Sequence, residues 1–132
     1  MGRVFFNTRE NVHNLATTYQ VLASDSGKTF TIDQEGTFVI SLQTTHLEGL
    51  NYEFVVTDIG SGEVHIDSGT SNGIVGWSMD STTGINAIDN NLVEIASSAA
   101  TLGDTVRLWS NGSVWICQSF CGGTNGILGA NS

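Results

Sequence analysis

The stretch that decides the fold is Thr105–Cys117, TVRLWSNGSVWIC, in which two apolar runs flank the pair Asn111-Gly112. Runs rich in Val, Ile and Trp favour β-strands. An Asn-Gly pair readily adopts the positive φ angles of a tight type I′ turn. The stretch therefore predicts a β-hairpin with a two-residue loop.

The register of this hairpin assigns its side chains to two faces. A two-residue loop pairs Trp109 with Val114 directly across the hairpin, and successive pairs alternate between the faces. One face then carries Val106, Leu108, Trp115 and Cys117, and the other carries Arg107, Trp109, Val114 and Ile116. Because a two-layer domain buries only one face of each sheet, we expect the second apolar face to be covered by the chain's own N-terminal segment or by a neighbouring subunit.

Similar runs recur at short spacing from Tyr19 onward, separated by clusters of Gly, Asn, Asp and Ser. This pattern indicates a β-sandwich or barrel. The segment Ala87–Ala100 could alternatively hold a short helix, although its Asn and β-branched residues disfavour one. The expected strands lie near Tyr19–Ala23, Thr29–Asp33, Thr37–Leu42, Tyr52–Thr57, Glu63–Asp67, Ile74–Met79, Leu92–Ala96, Thr105–Ser110 and Ser113–Gln118.

The length of 132 residues fits one domain. We predict an all-β fold, a compact antiparallel β-sandwich or barrel, at residues 19–132. Residues 1–18 are expected to form an N-terminal arm or an edge segment.

The charge argues against two classes of partner. The chain has only four basic residues and a formal net charge of −9. Binding to nucleic acid or to an anionic membrane needs clustered Lys and Arg. We therefore predict neither partner.

The cysteines and histidines give weak metal signals. Cys117 and Cys121 are too few for a zinc site, and they are either two reduced thiols or a disulfide pair. Glu63, His65 and Asp67 alternate onto one face of an expected strand, a spacing that could supply metal ligands. The simpler interpretation is a solvated face opposite buried neighbours, and we predict no cofactor.

Motifs for catalysis are lacking. The histidines are scattered, and none pairs with a Ser or Cys flanked by the glycines of a nucleophile elbow. The run Ser26-Gly27-Lys28-Thr29 ends like a phosphate-binding loop, but Leu22 stands where that motif requires its first glycine. We predict that the protein is not an enzyme.

Several segments together resemble the small head decoration proteins, also called cement or knob proteins, of tailed phages. These segments are ASDSGKTF at 23–30, FVISL at 38–42, GLNYEFVV at 49–56, GDTVRLW at 103–109 and GSVW at 112–115. Related β-modules occur in phage tail fibres and other virion appendages.

The resemblance implies a homotrimer on the capsid surface of a virion, bound to the major capsid protein, with no cofactor and no catalysis. It implies a role in stabilising the shell. The residues expected at subunit or shell contacts are Phe5, Phe6, Trp109, Val114 and Ile116. Decoration proteins often carry an N-terminal shell-binding arm, for which residues 1–18 offer only a modest candidate.

The alternative hypothesis is a receptor- or glycan-binding module of a phage head or tail fibre. Such a module would display exposed aromatic rings, for which Trp77 and Tyr52 are the candidates. Fibre modules normally belong to longer chains with repeats or coiled coils, and neither pattern occurs in this sequence.

Overall fold

The computed structural model describes residues 12–131, which form two β-sheets packed face to face. One single-turn 3-10 helix, Ala23–Asp25, interrupts the strands, and no α-helix occurs in this range. The strands are β1 (Val12–Leu15), β2 (Tyr19–Gln20), β3 (Thr29–Asp33), β4 (Phe38–Ser41), β5 (Asn51–Asp58), β6 (Val64–Asp67), β7 (Ile74–Asp80), β8 (Gly84–Asn90), β9 (Leu92–Ile95), β10 (Thr105–Ser110), β11 (Trp115–Cys121) and β12 (Ile127–Ala130).

The two sheets differ in size. The larger has seven strands in the order β1-β3-β5-β10-β11-β7-β8, and the smaller has five in the order β12-β9-β6-β4-β2. The prediction of a single all-β sandwich is confirmed. Strand β1, within the segment expected as an arm or edge, is the edge strand of the larger sheet.

The sheets are mixed, with parallel as well as antiparallel strand pairs, whereas the sequence predicted antiparallel strands. Strands β1, β3 and β5 are parallel neighbours in one sheet, and β2, β4 and β6 are parallel neighbours in the other. From β1 to β7 the chain crosses to the opposite sheet after every strand. Two strands that follow one another within the same sheet, such as β1 and β3, therefore run parallel. Alternating hydrophobicity identifies strands but does not specify this winding.

The core lies between the sheets and is built by alternation along each strand. In β3, Phe30 and Ile32 are buried while the threonines on either side of Phe30 are partly exposed. Phe30 stacks on Phe54 of β5 with ring centroids 5.2 Å apart. Each such aromatic or aliphatic side chain contributes about 1.5–3 kcal/mol when fully buried. The two inner faces therefore supply the main stabilisation of the sandwich.

The hairpin forms, but its register is shifted from the prediction. Ser110 pairs with Trp115 and Trp109 pairs with Ile116, so the loop has four residues, not two. Gly112 has a positive φ of 94°, whereas Asn111 does not, and a type I′ turn requires both. The Asn111 side-chain oxygen instead accepts the N–H groups of Ser113 and Val114, each at 2.9 Å. A shift of two residues leaves the paired side chains on their predicted faces, whereas Val114 falls in the loop and outside β11.

Buried aspartates organise the loops of a chain that contains no proline. Asp80 ends β7 and accepts the N–H groups of Thr82 at 2.8 Å and Thr83 at 2.6 Å. It also accepts the N–H of Asn125 at 3.2 Å, which ties two separate loops together. These bonds, above all those from Thr83, hold the pKa of the Asp80 carboxyl well below its usual range. Asp25 and Asp104 are buried in comparable networks.

We expect Gly76→Ala to destabilise the fold by about 3 kcal/mol or more. Gly76 has a φ of +146°, and a Cβ there would lie 1.9 Å from the carbonyl oxygen of Cys117 in β11. Gly36 has no heavy atom within 4 Å of an added Cβ and no positive φ, so Gly36→Ala is the matched control. Urea unfolding of both variants measures the difference, and equal midpoints would contradict the close approach of β7 and β11.

Candidate binding surface

The outer face of the seven-stranded sheet is apolar across its centre. Strands β7, β10 and β11 direct every second side chain away from the core, and these outward residues are mostly large and hydrophobic. We call the hydrophobic members of this set, together with their neighbour Ile85 of β8, the outer apolar face: Val75, Trp77, Met79, Ile85, Trp109, Ile116 and Phe120.

Strand register brings these residues into three adjacent rows. Trp109, Ile116 and Val75 are direct neighbours across β10, β11 and β7. Trp77 occupies the middle row, and its ring meets that of Phe120 edge-on, with centroids 6.4 Å apart. A T-shaped pair of this kind is a favourable aromatic arrangement. The rows therefore form one continuous patch.

The third row is the most open to solvent. Phe120 is paired with Met79, and Met79 with Ile85 on the edge strand β8. Phe120 is 44% exposed and Ile85 is 67% exposed. Large apolar side chains grouped in this way on a surface mark an interaction site more often than isolated ones do.

Few charges interrupt the patch. Three charged side chains lie in the three rows. Nε of Arg107 donates a 2.8 Å hydrogen bond to the carboxylate of Glu53, and the third charged residue is Asp89, beside Val75. The local charge is therefore small, although the whole chain carries a net charge of −9. The acidic surface lies elsewhere on the molecule.

The residues predicted at contacts fall in three places. Phe5 and Phe6 lie outside the described residues. Trp109 and Ile116 form a direct cross-strand pair on the outer apolar face, as their assignment to the second hairpin face predicts. Val114 is in the hairpin loop and half-buried.

Sequence reasoning named Trp77 only as a surface aromatic for a glycan site, and it missed four members of the face: Val75, Met79, Ile85 and Phe120. The alternation in Val75-Gly76-Trp77-Ser78-Met79 was a usable signal for β7. Ile85 lies in a Gly- and Asn-containing stretch that does not suggest a strand, and Phe120 lies beyond the expected end of β11.

Tyr52 is not a surface aromatic, so its proposed part in a glycan site is wrong. It is 2% exposed, and its hydroxyl donates to the carbonyl oxygen of Leu22 at 2.8 Å. Burial raises the pKa of this phenol. Tyr52 is instead a member of the core, with its ring 5.7 Å from that of Trp115.

His46 and Ser110 share a hydrogen bond between Nδ1 and Oγ, the contact that a nucleophile and its base would make. Ser110 is 2% exposed, and its Oγ already accepts the N–H of Gly112 at 2.9 Å. The hydroxyl cannot reach a substrate in this position. The centroids of the His46 and Trp115 rings are 4.4 Å apart. His46 therefore anchors the loop before β5 to the core through its contacts with Ser110 and Trp115.

The two cysteines are free thiols. Cys117 and Cys121 both lie in β11, four residues apart, which separates their Cα atoms by about 13 Å along an extended strand. A disulfide requires a Cα separation below about 7 Å. Burial raises the pKa of Cys117 to about 12, so this thiol is inert.

No family model matches the chain, and no curated protein matches it. Within residues 12–131, no helix is long and apolar enough to cross a membrane.

We expect the His46 anchor to weaken in acid. Burial lowers the pKa of His46 from its usual value, so the folded state resists protonation. The unfolded chain takes up the proton near the ordinary pKa of about 6.5, and stability is lost as the pH falls below that value. As the pH is lowered, the unfolding temperature should fall less steeply for His46→Gln than for the parent protein.

The matched control is His13→Gln, because His13 lies exposed on the edge strand β1. This variant leaves the contact between His46 and Ser110 intact, so its unfolding temperature should fall with pH at the slope of the parent. If His46→Gln also kept that slope, another group would be responsible for the acid sensitivity.

Proposed function

We propose that this protein is a non-catalytic structural module that binds other protein subunits through its outer apolar face. The observation that carries the proposal is the continuous patch of aromatic and aliphatic side chains on the outer side of the seven-stranded sheet. Stability of a two-layer sandwich requires only the inner faces to be apolar. The outer patch therefore needs an explanation beyond folding.

The composition of the face fits a protein partner. Trp, Phe and Met are enriched at the centres of protein interfaces, and charged residues are depleted there. The outer apolar face contains such residues, namely Trp77, Trp109, Phe120 and Met79. Its net charge is small, because Arg107 forms an ion pair with Glu53. Aromatic anchors of this kind carry most of the binding energy in measured interfaces.

The charge distribution supports self-association at the same place. A chain with a net charge of −9 repels its own copies over most of its surface. Repulsion is weakest where two copies meet through a nearly neutral region. The outer apolar face is such a region, so contact there removes hydrophobic surface from water at the smallest electrostatic cost.

The setting that we propose is the outer surface of a tailed-phage capsid. Resemblance to head decoration proteins supports a homotrimer that binds the major capsid protein and stabilises the shell. The outer apolar face would supply the contacts with neighbouring copies or with the shell. The outer side of the smaller sheet would then face solvent.

A receptor- or glycan-binding module of a head or tail fibre is the alternative. Of the two aromatic residues named for it, Trp77 is at the surface and Tyr52 is in the core. Sugar recognition needs polar groups that hydrogen-bond hydroxyls around the aromatic platform. The direct neighbours of Trp77 in its row are Gln118 and Ala87, which offer one such group. The arrangement favours a protein partner.

We expect Ile85→Ser and Phe120→Ser to abolish self-association without unfolding the chain. Both side chains are exposed and contribute little to the core, so their loss affects the interface alone. Leu102→Ser is the matched control, because Leu102 is 66% exposed in the turn before β10. Sedimentation velocity should give an oligomer for the parent and control proteins and a monomer for the other two.

Copy number then tests the capsid setting. Densitometry of purified virions against the major shell protein should give a nearly stoichiometric ratio. A few copies per particle would favour a fibre component, and absence from virions would refute the phage assignment. A parent protein that stays monomeric and binds no shell protein would refute the role of the outer apolar face.

A further inference from the structure

A second group of side chains lies on the outer side of the smaller sheet, away from the outer apolar face. Glu63, His65 and Glu94 bring two carboxylates and one imidazole together there. His65 in β6 is directly opposite Glu94 in β9. Glu63 precedes His65 by two residues and therefore points to the same side of the sheet.

The three side chains converge through their terminal atoms. The Nε2 atom of His65 lies 2.8 Å from Oε1 of Glu63 and 3.5 Å from Oε2 of Glu94. One ligand atom from each of the three residues lies within 4.8 Å of the others. The imidazole is thus held between the carboxylate of Glu63, which immediately precedes its own strand, and the carboxylate of Glu94 in the neighbouring strand.

We propose that Glu63, His65 and Glu94 bind a divalent transition-metal ion of the Zn²⁺ class. A tetrahedral ion with bonds of about 2.0–2.1 Å holds its ligand atoms about 3.4 Å apart. The contact between His65 and Glu94 already has this spacing. Glu63 must withdraw by about half an ångström to match it, and its side chain is 38% exposed and has room to do so.

The scaffold holds these ligands in place. Strand β6 is paired on both sides, with β4 and β9, and β9 is paired on both sides, with β6 and β12. Val39 and Leu128 flank His65 and Glu94 in the same row, and both are half-buried. Ligands on paired strands lose little freedom when they bind an ion, which favours affinity. Three protein ligands leave a fourth position for water.

The imidazole determines which ions fit. A nitrogen ligand suits Zn²⁺, Cu²⁺ and Ni²⁺, whereas Mg²⁺ and Ca²⁺ prefer oxygen alone. The charge also fits, since two carboxylates neutralise one divalent ion. Asp33, Glu35 and Asp58 form a different acidic group that lacks nitrogen, and Oδ1 of Asp33 already accepts the N–H of Glu35 at 3.0 Å. The second group is therefore a comparison, not a competing site.

The test is calorimetric titration of ZnCl₂ into the tag-free full chain near neutral pH. We expect one ion per chain, and binding at least tenfold weaker in His65→Ala and in Glu94→Gln. Glu35→Gln, in the carboxylate-only group, should bind like the parent. Saturating Zn²⁺ should raise the unfolding temperature of the parent but not of His65→Ala, because a ligand stabilises the state that binds it.

Excess Mg²⁺ should leave the Zn²⁺ affinity unchanged. Circular dichroism of each variant establishes that the fold is retained, which the surface position of the three side chains leads us to expect. Absence of a one-to-one binding event would overturn the proposal. It would also be overturned if His65→Ala bound as tightly as the parent, or if Glu35→Gln lost binding.

Discussion

The insertion of the hairpin β10–β11 between β5 and β7 is the constraint on which the rest of the structure depends. Strand β10 satisfies the open edge of β5, and β11 satisfies the open edge of β7. Without the hairpin, two rows of main-chain N–H and C=O groups would lack partners at the centre of the larger sheet. The same insertion places Trp109, Ile116 and Phe120 in the middle of its outer side.

The two outer sides of the sandwich have different chemistry because different strands supply them. The hairpin and β7 present hydrophobic residues on one side of the molecule. On the other side lie His65 of β6, Glu94 of β9 and Glu63, the residue that immediately precedes β6. Each feature can be disrupted without touching the other, since the core separates them. We therefore expect the proposed binding of a protein partner and the proposed binding of a metal ion to be independent of each other.

Local chemistry explains which parts of this fold could be predicted from the sequence. Alternation located β3 and β10 with their observed bounds, because each carries buried residues at every second position. Strands β1, β8 and β12 were missed, since they are short or contain Gly and Asn and lie at or near sheet edges. The hairpin loop was misjudged because Asn111 can cap its own turn through its side chain as well as adopt a positive φ. Strand pairing between distant segments, which brings Glu94 beside His65, leaves no local signal.

The order of strands along the chain has a consequence for synthesis on the ribosome. Strands β5 and β7 are made first, and the hairpin that must separate them is made more than twenty residues after β7 ends. Until it emerges, the nascent larger sheet has two unfinished halves with exposed edges. Those halves must remain apart and unaggregated for the seconds that translation of the intervening residues requires. Completion of the larger sheet is thus delayed until β10 and β11 have been synthesised and the hairpin closes the gap between its two parts.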